Sequence, residues 1–362
     1  MQVVPAPPPR KPRPQPPVWQ SRSSDIFGKA INPSFFGKLV AAVMLLGLLC
    51  APIPAAAQQP ASQTAVKRGL NGWLFLSSEL SFLRAPMFWG DAARGISKSL
   101  NPDHADPMVA IEDFHKQLSA SGIQLLLMPV PAKARIYSEE LDPQDKSSLA
   151  PDPFDSFFQQ LDSKHIPYID LRPVLSRSAN PKQVTYCKTD SHWSGAGCVL
   201  AAQAVAKQLN QSHGALLQKN SRQKFVEKWD QVEAVGDLSV LAPDLNAPKE
   251  IIAIRRIWQG NAAVQPDSHS PLLLIGDSHT LVYHDFMAEQ SGLLDQLAKE
   301  TSVVPDLIGT RGSGANAVRV TLLRRSIKDP KYLASKKVVI WCFAAREFID
   351  SDQGWQTIPI QH

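Results

Sequence analysis

The chain of 362 residues has only four cysteines, no apolar run long enough to cross a bilayer comfortably, and no excess charge beyond its first forty residues. Each shortage removes a class of protein. The formal charge of +5 belongs entirely to residues 1–40, where Arg10, Lys11, Arg13, Arg22, Lys29 and Lys38 face Asp25 alone. The remainder is neutral, so no basic field exists to attract nucleic acid. The longest apolar run, Leu39–Ala51, has 13 residues. As a helix it reaches roughly 20 Å, short of the ~30 Å hydrocarbon core. From residue 66 onward no repeat of 20 to 50 residues is visible, which excludes a solenoid and leaves one domain as the simplest account. The shortage of cysteine leaves at most one bridge after the leader, Cys187 with Cys198. The alternative is three small core thiols, Cys342 among them.

Residues 1–36 are proline-rich and basic, and are expected to form a disordered tail. Residues 37–58 read as a signal peptide, with Ala55-Ala56-Ala57 supplying the small residues that precede a cut, or as a short membrane anchor over 37–57. Leu49 beside Cys50 argues against lipoprotein processing. Either way the positive flank stays on the cytoplasmic side and the rest is exported. Within 66–358, apolar strands are expected at Ile123–Val130, His165–Leu171, Leu272–Ile275, Val303–Ile308 and Lys337–Phe343. Amphipathic helices are expected before the first two, after Ser194, and for about 20 residues from Thr280. This is an α/β pattern: a largely parallel sheet with helices on both faces, binding ligands at the carboxyl ends of its strands.

Two stretches carry chemistry. In LLLIGDSHT, a buried strand stops at Gly276 and presents Ser278 at a helix start. The N–H groups of Ser278 and His279 would be helix-start donors for an oxyanion. The bland reading is that Asp277 or Ser278 caps the helix. In YCKTDSHWSGAG, Asp190 and His192 stand two apart, so an extended segment points both the same way and leaves one imidazole nitrogen free for a hydroxyl. Trp193 needs either a core to enter or a ligand to stack on. A metal hydrolase built on Asp190, His192, His279 and His284 is disfavoured, because His279 and His284 are five apart and no acidic cluster surrounds them. No metal or cofactor is expected.

Four blocks in order resemble the SGNH-type O-acetyltransferases of bacterial exopolysaccharide machinery, the alginate O-acetyltransferase kind: GLNGWLFLSSEL (69–80), LLLMPVPAKARIY (125–137), YCKTDSHWS (186–194) and LLIGDSHT (273–280). The resemblance implies an SGNH-hydrolase-like, flavodoxin-like fold. It also implies a periplasmic enzyme in which Ser278 takes the acetyl group, His192 is base and then acid, and Asp190 holds the His192 tautomer. A polysaccharide acceptor and a membrane-bound O-acyltransferase as acetyl donor system are the implied partners. The blocks do not cover a second oxyanion donor. GTRGSGAN (309–316) offers Gly312 and Asn316, with an unliganded glycine loop as the alternative. Arg311 and Arg346 are candidates to orient substrate, Tyr283 or His284 to line the cleft, and Lys133 and Arg135 to form sheet-end salt bridges. Relatives of the alginate type often carry a carbohydrate-binding module after the catalytic domain; the chain ending at His362 suggests the shorter, membrane-tethered type. The competing readings are an exported carbohydrate acetylesterase and a non-catalytic polysaccharide-binding protein.

Overall fold

A computed structural model describes residues 65–176, 183–221 and 223–360. The expected tail and leader, with Cys50, lie outside the described residues. Nine strands are found among the latter: β1 (Val66–Arg68), β2 (Leu74–Leu76), β3 (Gln124–Val130), β4 (Phe225–Ala234), β5 (Glu250–Gln259), β6 (Ala262–Ala263), β7 (Leu272–Gly276), β8 (Asp306–Gly309) and β9 (Val338–Ala344). The longer helices are α1 (Ser77–Arg84), α2 (Pro107–Ala120), α3 (Phe154–Ser163), α4 (Gly195–Asn220), α5 (Leu293–Thr301) and α6 (Ala317–Lys328). None of the described helices is long and apolar enough to cross a membrane.

The central sheet runs β3-β9-β7-β8 with every pair parallel. Its two inner strands, LLLIG and VVIWCFA, are buried at every residue, which is why they read as unbroken apolar runs and not as alternation. Because the strands are parallel and nearly in register, their carboxyl ends lie along one edge. Val130 of β3, Ala344 of β9, Gly276 of β7 and Gly309 of β8 all end there. Gly276 is required at its place: a Cβ would stand 1.8 Å from the Cys342 carbonyl oxygen.

The structure departs from the sequence reading at three places. His165–Leu171 forms no strand; it runs beside β3 with one parallel bridge, Leu127 to Tyr168. Pro167 has no N–H to give, and His165 takes a left-handed φ of 54°. The helix expected from Thr280 stops after one turn, Ser278–Leu281. Tyr283, Met287 and Gln290 then adopt positive φ, and α5 starts afresh at Leu293, with the Asp295 carboxylate accepting from the Gly292 N–H. Third, β4 and β5 form an antiparallel ribbon over ten residue pairs, a unit the sequence reading lacks. Most of β4 is exposed, so its apolar pattern is weak. The three thiols are free and buried, so the Cys187–Cys198 bridge is absent and the small-core-residue reading stands.

Candidate active site

Ser278 follows directly from the end of β7, where Asp277 fixes the turn. Its Oδ1 accepts from the His279 N–H at 2.9 Å, and its Oδ2 accepts from the Ala344 N–H at 2.6 Å, stapling the turn to the neighbouring strand. Burial opposes the charge on Asp277, but His279, the Ala344 N–H and Arg346 hold its pKa at about 2. The capping reading of this stretch is therefore right for Asp277 and leaves the Ser278 hydroxyl uncommitted. It also corrects one expectation. The His279 N–H is spent on Asp277 and is not available to an oxyanion, whereas the Ser278 N–H has no hydrogen-bond partner among the described residues.

The partner loop, 186–194, is closed by a bridge between Tyr186 and Trp193. Inside it Asp190 and His192 point the same way. Asp190 Oδ1 accepts from His192 Nδ1 at 2.6 Å, and His192 Nε2 lies 2.8 Å from Ser278 Oγ. These distances require Nδ1 to carry the proton and leave Nε2 as acceptor for the serine hydroxyl. Burial disfavours the imidazolium, yet the Asp190 carboxylate outweighs it and the His192 pKa is raised above 6.5. Asp190 in turn is held at about 2: burial pushes it up, and His192 with the backbone N–H groups of Asp237 and His192 pulls it down further. Asp190 and His192 are buried, while Ser278 is partly exposed.

Three groups hold this loop, and two of them, Asp237 and Glu250, are absent from the sequence reading. Lys133 is fully buried and donates to the carbonyls of Asp190 (2.7 Å), Cys187 (3.2 Å) and Lys188 (3.3 Å). It is thus a backbone clamp and not a salt-bridge partner; Arg135 likewise donates to the Ala150 carbonyl. Glu250, at the start of β5, accepts from the N–H groups of Lys188 and Thr189. Asp237 accepts from the Ser191 N–H at 2.7 Å and gives its own N–H to Asp190 Oδ2 at 2.7 Å. A block motif around Lys133 was legible. Asp237 and Glu250 are distant in sequence and carried no local signal.

The other expected site residues are sorted differently. Trp193 enters the core and is completely buried. Tyr283 is buried too; its hydroxyl donates to the Trp193 carbonyl at 2.9 Å, so it anchors the histidine loop and does not line the cleft. His284 is taken by Asp295 at 2.8 Å. In the 309–316 loop the Asn316 amide is used at both ends, donating to Gly354 and accepting from Arg319, which removes it as an oxyanion donor. Gly312 is exposed with φ of 91°, and a Cβ there would touch nothing within 4 Å. The residue of this loop that packs on the serine turn is Gly314, where a Cβ would stand 3.4 Å from the Asp277 nitrogen. Arg346 is largely buried and faces Glu79 at 3.5 Å, a counter-charge inside the molecule and not a free substrate cation. Arg311 is exposed; it stacks on Phe286 at 4.3 Å, and the Phe286 ring meets His192 edge-on at 5.6 Å. Arg311, through Phe286, thus stands beside the His192 ring on the exposed side of the site.

Asp190, His192 and Asp237 are close enough together to suggest a cation site. Their donor atoms are already engaged: His192 Nδ1 with Asp190 Oδ1, and Asp237 with the N–H and hydroxyl of Ser191. A metal would have to displace bonds that complete the histidine loop.

A family model described as SGNH hydrolase-like domain, acetyltransferase AlgX, matches residues 66–344. The probable alginate O-acetylase AlgJ of Pseudomonas fluorescens is 28% identical over 181 residues, 47% of this chain and 45% of that protein. Its counterpart of the same description from Pseudomonas putida is 25% identical over 252 residues, 66% of this chain and 62% of that protein. The chain therefore spans from under half to about three fifths of the length of these curated relatives. Among solved structures, the O-acetyltransferase domain of Pseudomonas putida AlgJ has a TM-score of 0.59 at 22% identity, covering 80% of this chain and 93% of that one. Pseudomonas aeruginosa AlgX has a TM-score of 0.56 at 17% identity, covering 77% and 61%. At such identities the two structures establish the shared fold.

Proposed function

The chain belongs to the SGNH hydrolase-like AlgX acetyltransferase family, and from that premise we propose that residues 66–358 form an O-acetyltransferase domain that acetylates hydroxyls of an exopolysaccharide in the periplasm. The single observation that carries the reading is the His192 imidazole, bonded at one nitrogen to Asp190 and at the other to Ser278.

In the first half-reaction Ser278 Oγ attacks the carbonyl carbon of an acetyl donor while His192 Nε2 takes the hydroxyl proton. Asp190 keeps Nδ1 protonated and stabilises the imidazolium that forms. The tetrahedral oxygen is met by the Ser278 N–H, with the backbone at Gly314 as the candidate second donor. The donor's leaving group departs with the proton from Nε2, and acetyl remains as an ester on Ser278. In the second half a sugar hydroxyl gives its proton to Nε2 and attacks that ester, and Ser278 regains its proton as the acetylated sugar leaves. Arg311 on the exposed side of the site suits an acidic or hydroxyl-rich polymer. A membrane-bound O-acyltransferase would bring acetyl groups to this side, and residues 37–58 would direct export, as a cleaved leader or a retained anchor.

An acetylesterase would share every step up to the acyl-enzyme and differ only in whether water or sugar arrives first. Acetate release from an aryl acetate, measured with and without polysaccharide or oligosaccharide acceptor, separates the two. Transfer predicts that acceptor diverts acetyl from free acetate into sugar ester, and that Ser278→Ala stops both. Acetate release indifferent to every acceptor would favour the esterase, and turnover by Ser278→Ala would refute the mechanism.

A further inference from the structure

Asp190 is not the only carboxylate beside the imidazole. Asp237 begins the short helix Asp237–Leu241, just after the end of β4, and its Oδ2 lies 3.8 Å from His192 Nδ1. It meets the histidine loop at three points: the Ser191 N–H, the Ser191 hydroxyl at 2.5 Å, and, through its own N–H, the outer oxygen of Asp190. The approach is tight enough to dictate the preceding residue. A Cβ on Gly236 would stand 2.0 Å from the Thr189 carbonyl oxygen and 2.7 Å from the Asp190 nitrogen, so only glycine allows Asp237 to reach in. A side chain needed merely to tie down Ser191 could do so from any direction; this one is brought to the protonated nitrogen of the base.

We infer that Asp237 is a positioning residue that fixes the orientation of Asp190 and adds a second negative charge behind His192, stabilising its imidazolium during acyl transfer. The inference rests on the reading of His192 as the base. The charged and titratable groups around that ring are Asp190 and Asp237, Asp277 and His279 from the serine turn, Glu79 from α1, and Lys133 beneath the loop. Burial disfavours the imidazolium, and Asp190, then Asp237 and Asp277, favour it, which agrees in sign with the geometry. Glu250 provides the internal comparison. It also clamps the loop through backbone N–H groups, at Lys188 and Thr189, without approaching the ring.

The test is an NMR titration of the His192 ring in full-length protein carrying isotope-labelled histidine, with the resonance assigned by its loss in His192→Gln. In Asp237→Asn, which retains an oxygen acceptor for Ser191 and removes the charge, the His192 midpoint moves to lower pH. In Glu250→Gln it stays where it is in the unchanged protein. Asp237→Ser takes the place of the amide variant if that one does not fold. With an aryl acetate as substrate, the acid limb of kcat/KM shifts the same way and the plateau falls about tenfold, because less imidazolium stabilisation reaches the transition state. An unmoved His192 midpoint in Asp237→Asn, or an equal shift in Glu250→Gln, overturns the inference. The titration needs no turnover, so absence of acyl transfer in the unchanged protein would count against the proposed function and leave this result intact.

Discussion

The two walls around Ser278 are built on opposite principles. On the histidine side, Asp190 and His192 are buried and the loop is held by Lys133, Asp237 and Glu250 through hydrogen bonds to its backbone at Cys187, Lys188, Thr189, Asp190 and Ser191. On the other side, Arg311 is exposed and is held by a 3.4 Å ion pair to the equally exposed Asp285 and by stacking on Phe286. Exposed pairs of this kind contribute little to stability. The contrast separates two tasks: the base must stay within a fraction of an ångström of the hydroxyl, whereas a surface that receives polymers of varying sequence gains from adjustable contacts.

If the rigid wall does the chemistry, the largest effect comes from its working atoms. Ser278→Ala and His192→Ala should each reduce acyl transfer by at least about three orders of magnitude. Ser278→Ala should leave the thermal midpoint nearly unchanged, since a partly exposed hydroxyl adds little to the fold. Calorimetry beside a rate assay checks both. Next comes the clamp. Lys133→Met leaves the Cys187 and Asp190 carbonyls without their donor, while the Lys188 carbonyl keeps the Leu74 N–H, and should cost about 2–4 kcal/mol of stability, read by denaturant unfolding, with activity falling in step.

The serine turn gives an acid-side prediction. The Asp277 pKa is about 2 in the folded state against an ordinary 3.8. A depressed carboxyl stabilises the fold above its unfolded pKa and loses that contribution as pH falls through the folded one. Asp277→Asn should therefore cost about 2 kcal/mol near neutral pH, with the difference from the unchanged protein shrinking between pH 3.8 and about 2. Unfolding midpoints measured across that range check the sign. For catalysis the working form of His192 is neutral, and its pKa is raised. Transfer should rise with pH through a limb lying above the ordinary imidazole value of 6.5, a limb that a pH profile of kcat/KM locates. The smallest effect belongs to the loose wall. Arg311→Ala should leave stability within about 0.5 kcal/mol and kcat nearly intact while raising KM for an acidic acceptor. A large loss of kcat there would break the contrast between the walls.

The parts legible in the sequence are those whose physics is local. Strands buried on both faces announce themselves as apolar runs, which located β3, β7 and β9, and the Asp-x-His pair and the strand-end Gly-Asp-Ser, 86 positions apart from His192 to Ser278, each show their candidate side chains within one short stretch. What escaped is set by tertiary contact. Just after the break at Leu281, Tyr283 takes a positive φ and its hydroxyl bonds the Trp193 carbonyl, a contact 90 positions away that no helix propensity records. Trp193 and Arg346 look available as residue types and are buried only once the sheet is assembled. Asp237, 47 positions from Asp190, had no motif to mark it, although the isoleucine-rich stretch EIIAIRRIWQ, with Ile252, Ile254 and Ile257 buried, could have exposed the ribbon that leads to it.

The central claim is that Ser278 itself carries the acetyl group between donor and sugar. Protein mixed with an aryl acetate, quenched during turnover and digested, can be read by mass spectrometry peptide by peptide. The account predicts one acetyl group on the peptide containing Ser278, lost when an oligosaccharide acceptor is added before the quench and recovered on the sugar. Turnover at full rate with that peptide unmodified, or with the acetyl group trapped on another residue and passed on from there, would contradict it.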